Sequence, residues 1–224
     1  MQQVINFILA ILKWPLSLLM LWLTIPAFKT DMMILYNGLT MEVLGYFFIP
    51  LLMIILCWLV IPGLSGSFIS ILEHELTHMV FAILTCHSPH DINVKRGVGG
   101  NFIYTGQGNW LISIAPYFFP TSAVLVILLG LFYPFMGEPF PNYYWLILGL
   151  MTGYHLISTL DEIHLQQTDF KSAGYLFSIL FLPTANLIFY GLLLSFACYG
   201  FPGFRIFLSE LSNQSLLFYR LFYY

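Results

Sequence analysis

His74-Glu75-Leu76-Thr77-His78, set in the apolar run ISILEHELTHMVFAIL, is an H-E-x-x-H sequence. On a helix, residues four apart lie one above the other on the same face, about 6 Å apart along the axis. Both imidazoles can therefore reach one divalent ion. Glu75 lies about 100° round the helix from His74, which suits a general base beside that ion. Zinc held in this way keeps a position for water, lowers the water's pKa towards about 7 and polarises a carbonyl. The residue types assign His74 and His78 as metal ligands and Glu75 as the catalytic base. With six histidines and ten acidic residues in 224, roughly 0.007 such motifs are expected by chance. The plainer alternative is a polar helix-packing cluster in which Glu73 or Glu75 pairs with a histidine.

A tetrahedral catalytic site takes a third protein ligand. The stretch GLMTGYHLISTLDEIHLQQTDF supplies His155, Asp161, Glu162, His164 and Asp169. Asp161 is the first choice, being the acidic residue nearest the hydrophobic run, and Asp169 is the alternative. His155 is a candidate ligand or transition-state donor, against the plainer reading of a hydrogen-bonded packing residue. Glu162 and His164 read as solvated groups or as partners of the ligands. Asn109, at the start of NWLISIAPYFFP, is a candidate for holding substrate backbone. Pro116 and Pro120 each remove an amide donor, which implies a bent helix whose freed carbonyls the protein must satisfy.

The elements that carry these residues are set by composition. The chain is 59% hydrophobic and 8% charged, with a mean hydropathy of +0.86. Soluble domains carry about a quarter charged residues, so this is a multi-pass integral membrane protein. A net charge of −3 implies no nucleic-acid partner. Cys57, Cys86 and Cys198 stand apart in apolar surroundings and read as buried small hydrophobes, without disulfide or zinc-knuckle spacing. The first apolar stretch lacks an Ala-x-Ala-like site and reads as a retained span.

A helix needs about 20 apolar residues to cross the hydrocarbon core. That measure gives six spans, near 4–28, 41–61, 67–86, 111–135, 142–165 and 174–199, with the first interrupted at Lys13-Trp14-Pro15. The short Pro62-Gly63 and Ser65-Gly66 loop predicts that spans two and three form a tight antiparallel pair. Gly149 and Gly153 form a G-x-x-x-G suited to close helix approach. In DINVKRGVGGNFIYT, two period-two runs flank a glycine-rich turn, which predicts a β-hairpin. It is either a connector or a strand edge able to pair with an extended peptide. The tail from Phe204 reads as interfacial. Lys29, Lys95, Arg96 and Lys171 against Lys13, Arg205 and Arg220 place the 87–110 and 166–173 loops in the cytoplasm. The expected fold is therefore an all-α polytopic membrane protein of about six transmembrane helices, with a short β-hairpin between the third and fourth. Three parts follow: 1–66, two N-terminal spans; 67–174, the catalytic core; and 175–224, a C-terminal span and interfacial tail.

HELTH in a span, the glycine-rich hairpin, the APYFFP segment and YHLISTLDEIHLQQTDF together resemble the site-2 protease superfamily of intramembrane zinc metalloproteases, closest to its small membrane metallopeptidase-like branch. The resemblance covers about 67–174. It implies zinc bound by His74 and His78, Glu75 as base, and an aspartate from a later span as third ligand. It also implies membrane-protein substrates, cut in membrane-embedded or membrane-proximal segments. Two positions depart from the family pattern: Thr77 stands where glycine is frequent, and Leu160-Asp161-Glu162 replaces Leu-Asp-Gly. Thr168-Asp169-Phe170 echoes the branch's own pattern. The expected activity is zinc-dependent endopeptidase in the lipid bilayer. A metal or proton transporter also places His and Asp in membranes, and predicts discontinuous helices and repeats, of which no repeat is visible. A non-catalytic relative keeps the fold without the chemistry, and the complete H-E-x-x-H argues against it.

Overall fold

A chain this apolar satisfies its backbone in lipid by folding into helices. A computed structural model describes residues 1–61, 64, 67–96, 99–132, 140–164 and 166–221, and these are mostly helical with a single two-stranded sheet. Helix α1, Gln2–Gly38, runs unbroken through Pro15 and Pro26. Its 37 residues extend about 55 Å at 1.5 Å per residue, well past the span expected at 4–28. The extension holds because Thr30 and Asp31 turn inward: Thr30 donates to the Pro26 carbonyl, and Asp31 lies against Gly191. Helix α2, Met41–Val60, is capped by Thr40 and contains one π-helical turn, Leu44–Phe48.

Helix α3, Phe68–Leu84, begins at Ser67, whose hydroxyl accepts the Ser70 amide. Just past its end, Cys86, with φ 61°, turns the chain into strands β1, Pro89–Lys95, and β2, Gly99–Tyr104, paired antiparallel. Helix α4, Trp110–Ile114, passes into a 3₁₀ turn, Ala115–Tyr117, and helix α5 is Thr121–Gly130. Between them the axis bends by 81°, the outcome Pro116 and Pro120 imply. Helix α6 is Asn142–Glu162, and the short α7 is Thr168–Ala173. Gly174, at φ 89°, breaks α7 from α8, Tyr175–Tyr199, and α9 is Pro202–Arg220.

Three described helices, α1, α2 and α8, are long and apolar enough to cross a bilayer, or four spans if the bent α4–α5 pair counts as one. Two of the six stretches read as spans, those carried by α3 and α6, do not meet this measure, for physical reasons. Helix α3 has 17 residues, short of the requirement of about 20. Helix α6 has the length, but Thr152, His155, Ser158, Thr159, Asp161 and Glu162 dilute its apolar run. The expected tight pairing of spans two and three rested on residues 62, 63, 65 and 66, which lie outside the described residues. Helix α2 packs instead on α6, with Gly149 and Gly153 against the Phe47 and Leu51 carbonyls. The cysteines are free, and none is buried: Cys86 is exposed, and Cys57 and Cys198 are half-buried.

Two aromatic cores hold the helices together. One gathers Trp110, Tyr117, Phe118, Phe177 and Phe181 beneath the hairpin. The other joins Phe47, Tyr144, Leu148 and Phe196. The tail helix α9 lies on α1 and α8, burying Phe207 and placing Phe218 5.8 Å from Trp22.

Candidate metal centre

The helical period of α3 stacks Ser70, His74 and His78 along one face. The two imidazole centroids are 4.7 Å apart, and their Nε2 atoms are 3.0 Å apart. Each remaining ring nitrogen is already engaged. His74 Nδ1 donates to Glu162 Oε2 at 2.6 Å, and His78 Nδ1 donates to the Ile112 carbonyl at 2.7 Å. Both donors face acceptor-only oxygens, so both rings carry a proton on Nδ1, which leaves Nε2 as the atom each ring can offer to a metal. Two lone pairs 3.0 Å apart repel, and either a shared proton or a cation between them removes that repulsion.

The carboxylate that meets them is Asp169. Its Oδ2 is 3.4 Å from His74 Nε2 and 3.6 Å from His78 Nε2, and it accepts the Tyr117 hydroxyl at 2.9 Å. Asp161, the first choice as third ligand, is exposed on the wall of the same cleft and is not part of the group formed by His74, His78 and Asp169. The reason is helical phase. Asp161 precedes Glu162 by about 100° of rotation, and Glu162 is the residue turned to His74. The chain then leaves α6, and α7 returns Asp169 to the histidines.

Donor geometry tests the metal directly. Zinc at about 2.0–2.1 Å from each donor, tetrahedral, requires donor atoms about 3.3 Å apart. The three separations of 3.0, 3.4 and 3.6 Å bracket that value, and the donor set of two imidazoles and one carboxylate is a zinc set. The residues fit the ion.

A cleft of about 690 Å³ opens beside these atoms, bounded by α3, β2, α4 and the α6–α7 connection. Glu75 is buried in its wall under Gly100 of β2, where an added Cβ would collide with the Glu75 carboxylate. Glu73 points elsewhere, accepting the Ser122 amide at 3.0 Å at the start of α5. His155 is buried outside the ligand group, 3.5 Å from Thr159 Oγ1. It lines a small void behind His74, the packing option of the sequence reading. The Asn109 side chain is engaged within the protein: its Oδ1 accepts the Ile112 amide at 3.1 Å, and its Nδ2 donates to Asn6 at 2.9 Å. An asparagine directly before an apolar helical run was the sequence signal for a cap. Sequence reasoning passed over Tyr117 and the Ile112 carbonyl as parts of the site. Only the prolines beside them hinted at carbonyls in need of partners.

Residues 46–152 match the family model described as Peptidase M50B-like. Over that stretch the chain is similar to the M50B-like family. The match bears out the resemblance to site-2 proteases, and with α1, α2 and α8 it makes the chain a multi-pass integral membrane protein. The M50B-like stretch contains His74, Glu75, His78, Ile112 and Tyr117, and it stops before Glu162 and Asp169. Two carboxylates at the histidines therefore come from chain beyond it. No curated protein and no solved structure matches the chain.

Proposed function

We propose that the protein is a zinc-dependent endopeptidase that cuts membrane-embedded or membrane-proximal segments of other membrane proteins. The observation that carries this reading is the triangle of His74 Nε2, His78 Nε2 and Asp169 Oδ2 at zinc-donor spacing, beside a cleft that contains Glu75. A bound zinc would supply Lewis acidity towards a peptide carbonyl and towards water. Glu75 moves the proton, taking it from water at its carboxylate and delivering it to the leaving amine nitrogen. Glu162 and the Ile112 carbonyl hold both rings in the required tautomer. A scissile helix must unwind before its carbonyls can be attacked, and the hairpin edge beside the cleft offers such a segment backbone partners.

Glu75→Gln tests the assignment. Full-length protein in detergent is assayed with quenched-fluorescent peptides that contain a transmembrane segment and its flanks. The variant is expected to keep zinc and lose cleavage by 10²-fold or more, on the order of a general-base contribution. Cleavage at the wild-type rate would remove Glu75 from the mechanism. One observation favours a transporter, the break between α4 and α5, since transporters use discontinuous helices. Zinc or proton flux in liposomes, without peptide cleavage, would select that reading.

A further inference from the structure

A proline deletes one helical hydrogen bond at a fixed place, leaving the carbonyl four residues earlier without its donor. In α4 the ladder runs from the Ala115 amide to the Leu111 carbonyl. Were α4 to continue as an α-helix, the next donor would be residue 116 and its acceptor the Ile112 carbonyl. Residue 116 is proline and has no N–H. The orphaned carbonyl is taken by His78 Nδ1 at 2.7 Å.

We propose that Pro116 is a positioning residue for the metal centre: by withholding an amide proton from Ile112, it frees the carbonyl that fixes the tautomer and ring plane of His78. The inference rests on the metalloprotease reading and goes beyond it. Burial makes the substitution of partners obligatory. Ile112 is 2% exposed and His78 8%, so water does not stand in for a missing partner, and a buried carbonyl without one costs about 1–3 kcal/mol. The same peptide unit is pinned from its other side, because the Ile112 amide donates to Asn109 Oδ1 at 3.1 Å. Asn109 and Pro116 thus bracket α4 and present one carbonyl at a set position. Pro120 contributes to the bend by the same rule but frees the carbonyl of residue 116, not that of Ile112. It separates a role in bending from a role in aiming His78.

The test uses full-length protein in detergent, with zinc affinity measured by competition against a chromophoric chelator and ligand geometry read from the visible bands of the cobalt-loaded form. Pro116→Ala returns an N–H that competes for the Ile112 carbonyl. It is expected to weaken zinc by on the order of tenfold, as loss of a partner to a metal-bound histidine does, and to shift the cobalt bands. Pro120→Ala is expected to keep wild-type affinity and wild-type bands. Wild-type affinity in Pro116→Ala, or equal weakening in both variants, overturns the inference. A second measurement needs no variant: nitrogen NMR of histidine-labelled, zinc-loaded wild type should show every metal-bound ring protonated on Nδ1. A metal-bound ring protonated on Nε2 overturns the inference. Wild-type protein that binds no zinc overturns the metalloprotease reading itself, whereas zinc-binding wild type with an unaltered Pro116→Ala overturns only the role of Pro116.

Discussion

Glu162 and Asp169 show how two carboxylates at one site acquire different tasks. Glu162 receives the Nδ1 proton of His74 and the Ser70 hydroxyl, so its charge is spent orienting a ring. Asp169 faces the Nε2 atoms of both rings and accepts the Tyr117 hydroxyl, which places it to complete a donor triangle. Metal analysis of purified Asp169→Ala and Asp161→Ala separates the two sequence candidates. Asp169→Ala should lose zinc, and Asp161→Ala should retain it at the wild-type ratio. The opposite pattern would return the third ligand to Asp161. The proximity of His74 and His78 was legible because a single helix carries them in consecutive turns. The aspartate was not, because a change of direction between α6 and α7 decides which of several acidic residues comes back to α3.

Elements matter here for what they press against the site. Strand β2 brings Gly100 over Glu75 so closely that an added Cβ would collide with the Glu75 carboxylate and Ile71. Gly100→Ala should therefore keep zinc, since its contact is with Glu75 and not with the ligands. It should lower cleavage by about 10²-fold if the base is displaced by as little as about 1 Å. Full activity in that variant would show that Glu75 has room to move. The hairpin was readable from its alternation and glycines, and the bend from its prolines, because both follow from local chemistry. Helix pairing was not. The G-x-x-x-G of α6 marks a close approach, yet it does not name Phe47 and Leu51 of α2 as the surface approached. Span number suffered similarly, since hydropathy does not distinguish a helix that crosses lipid from one shielded by its neighbours.

On the scale of the whole molecule, the metal centre is a junction of segments far apart in sequence. Donors come from α3 and α7, and their partners from α4, the 3₁₀ turn that follows it and α6. The N-terminus of α1 reinforces the same junction: Gln2 and Asn6 donate to the Thr105 and Gln107 carbonyls at 3.0 and 2.8 Å, and Trp110 Nε1 donates to the Leu9 carbonyl at 2.8 Å. An ion that binds only when α3 and α7 are in register stabilises that arrangement by mass action, about 4 kcal/mol when free metal is a thousandfold above its dissociation constant. For a chain of 224 residues, each kcal/mol moves the midpoint by roughly 2–4 °C. Zinc added to chelator-stripped protein should therefore raise Tm by on the order of 10 °C, read from intrinsic Trp fluorescence in detergent. The Asp169→Ala protein should show little of that rise. A zinc-independent Tm in wild type, or an equal rise in the variant, would mean that these segments are held together without the ion, and the triangle of donors would then be a packing arrangement of polar groups.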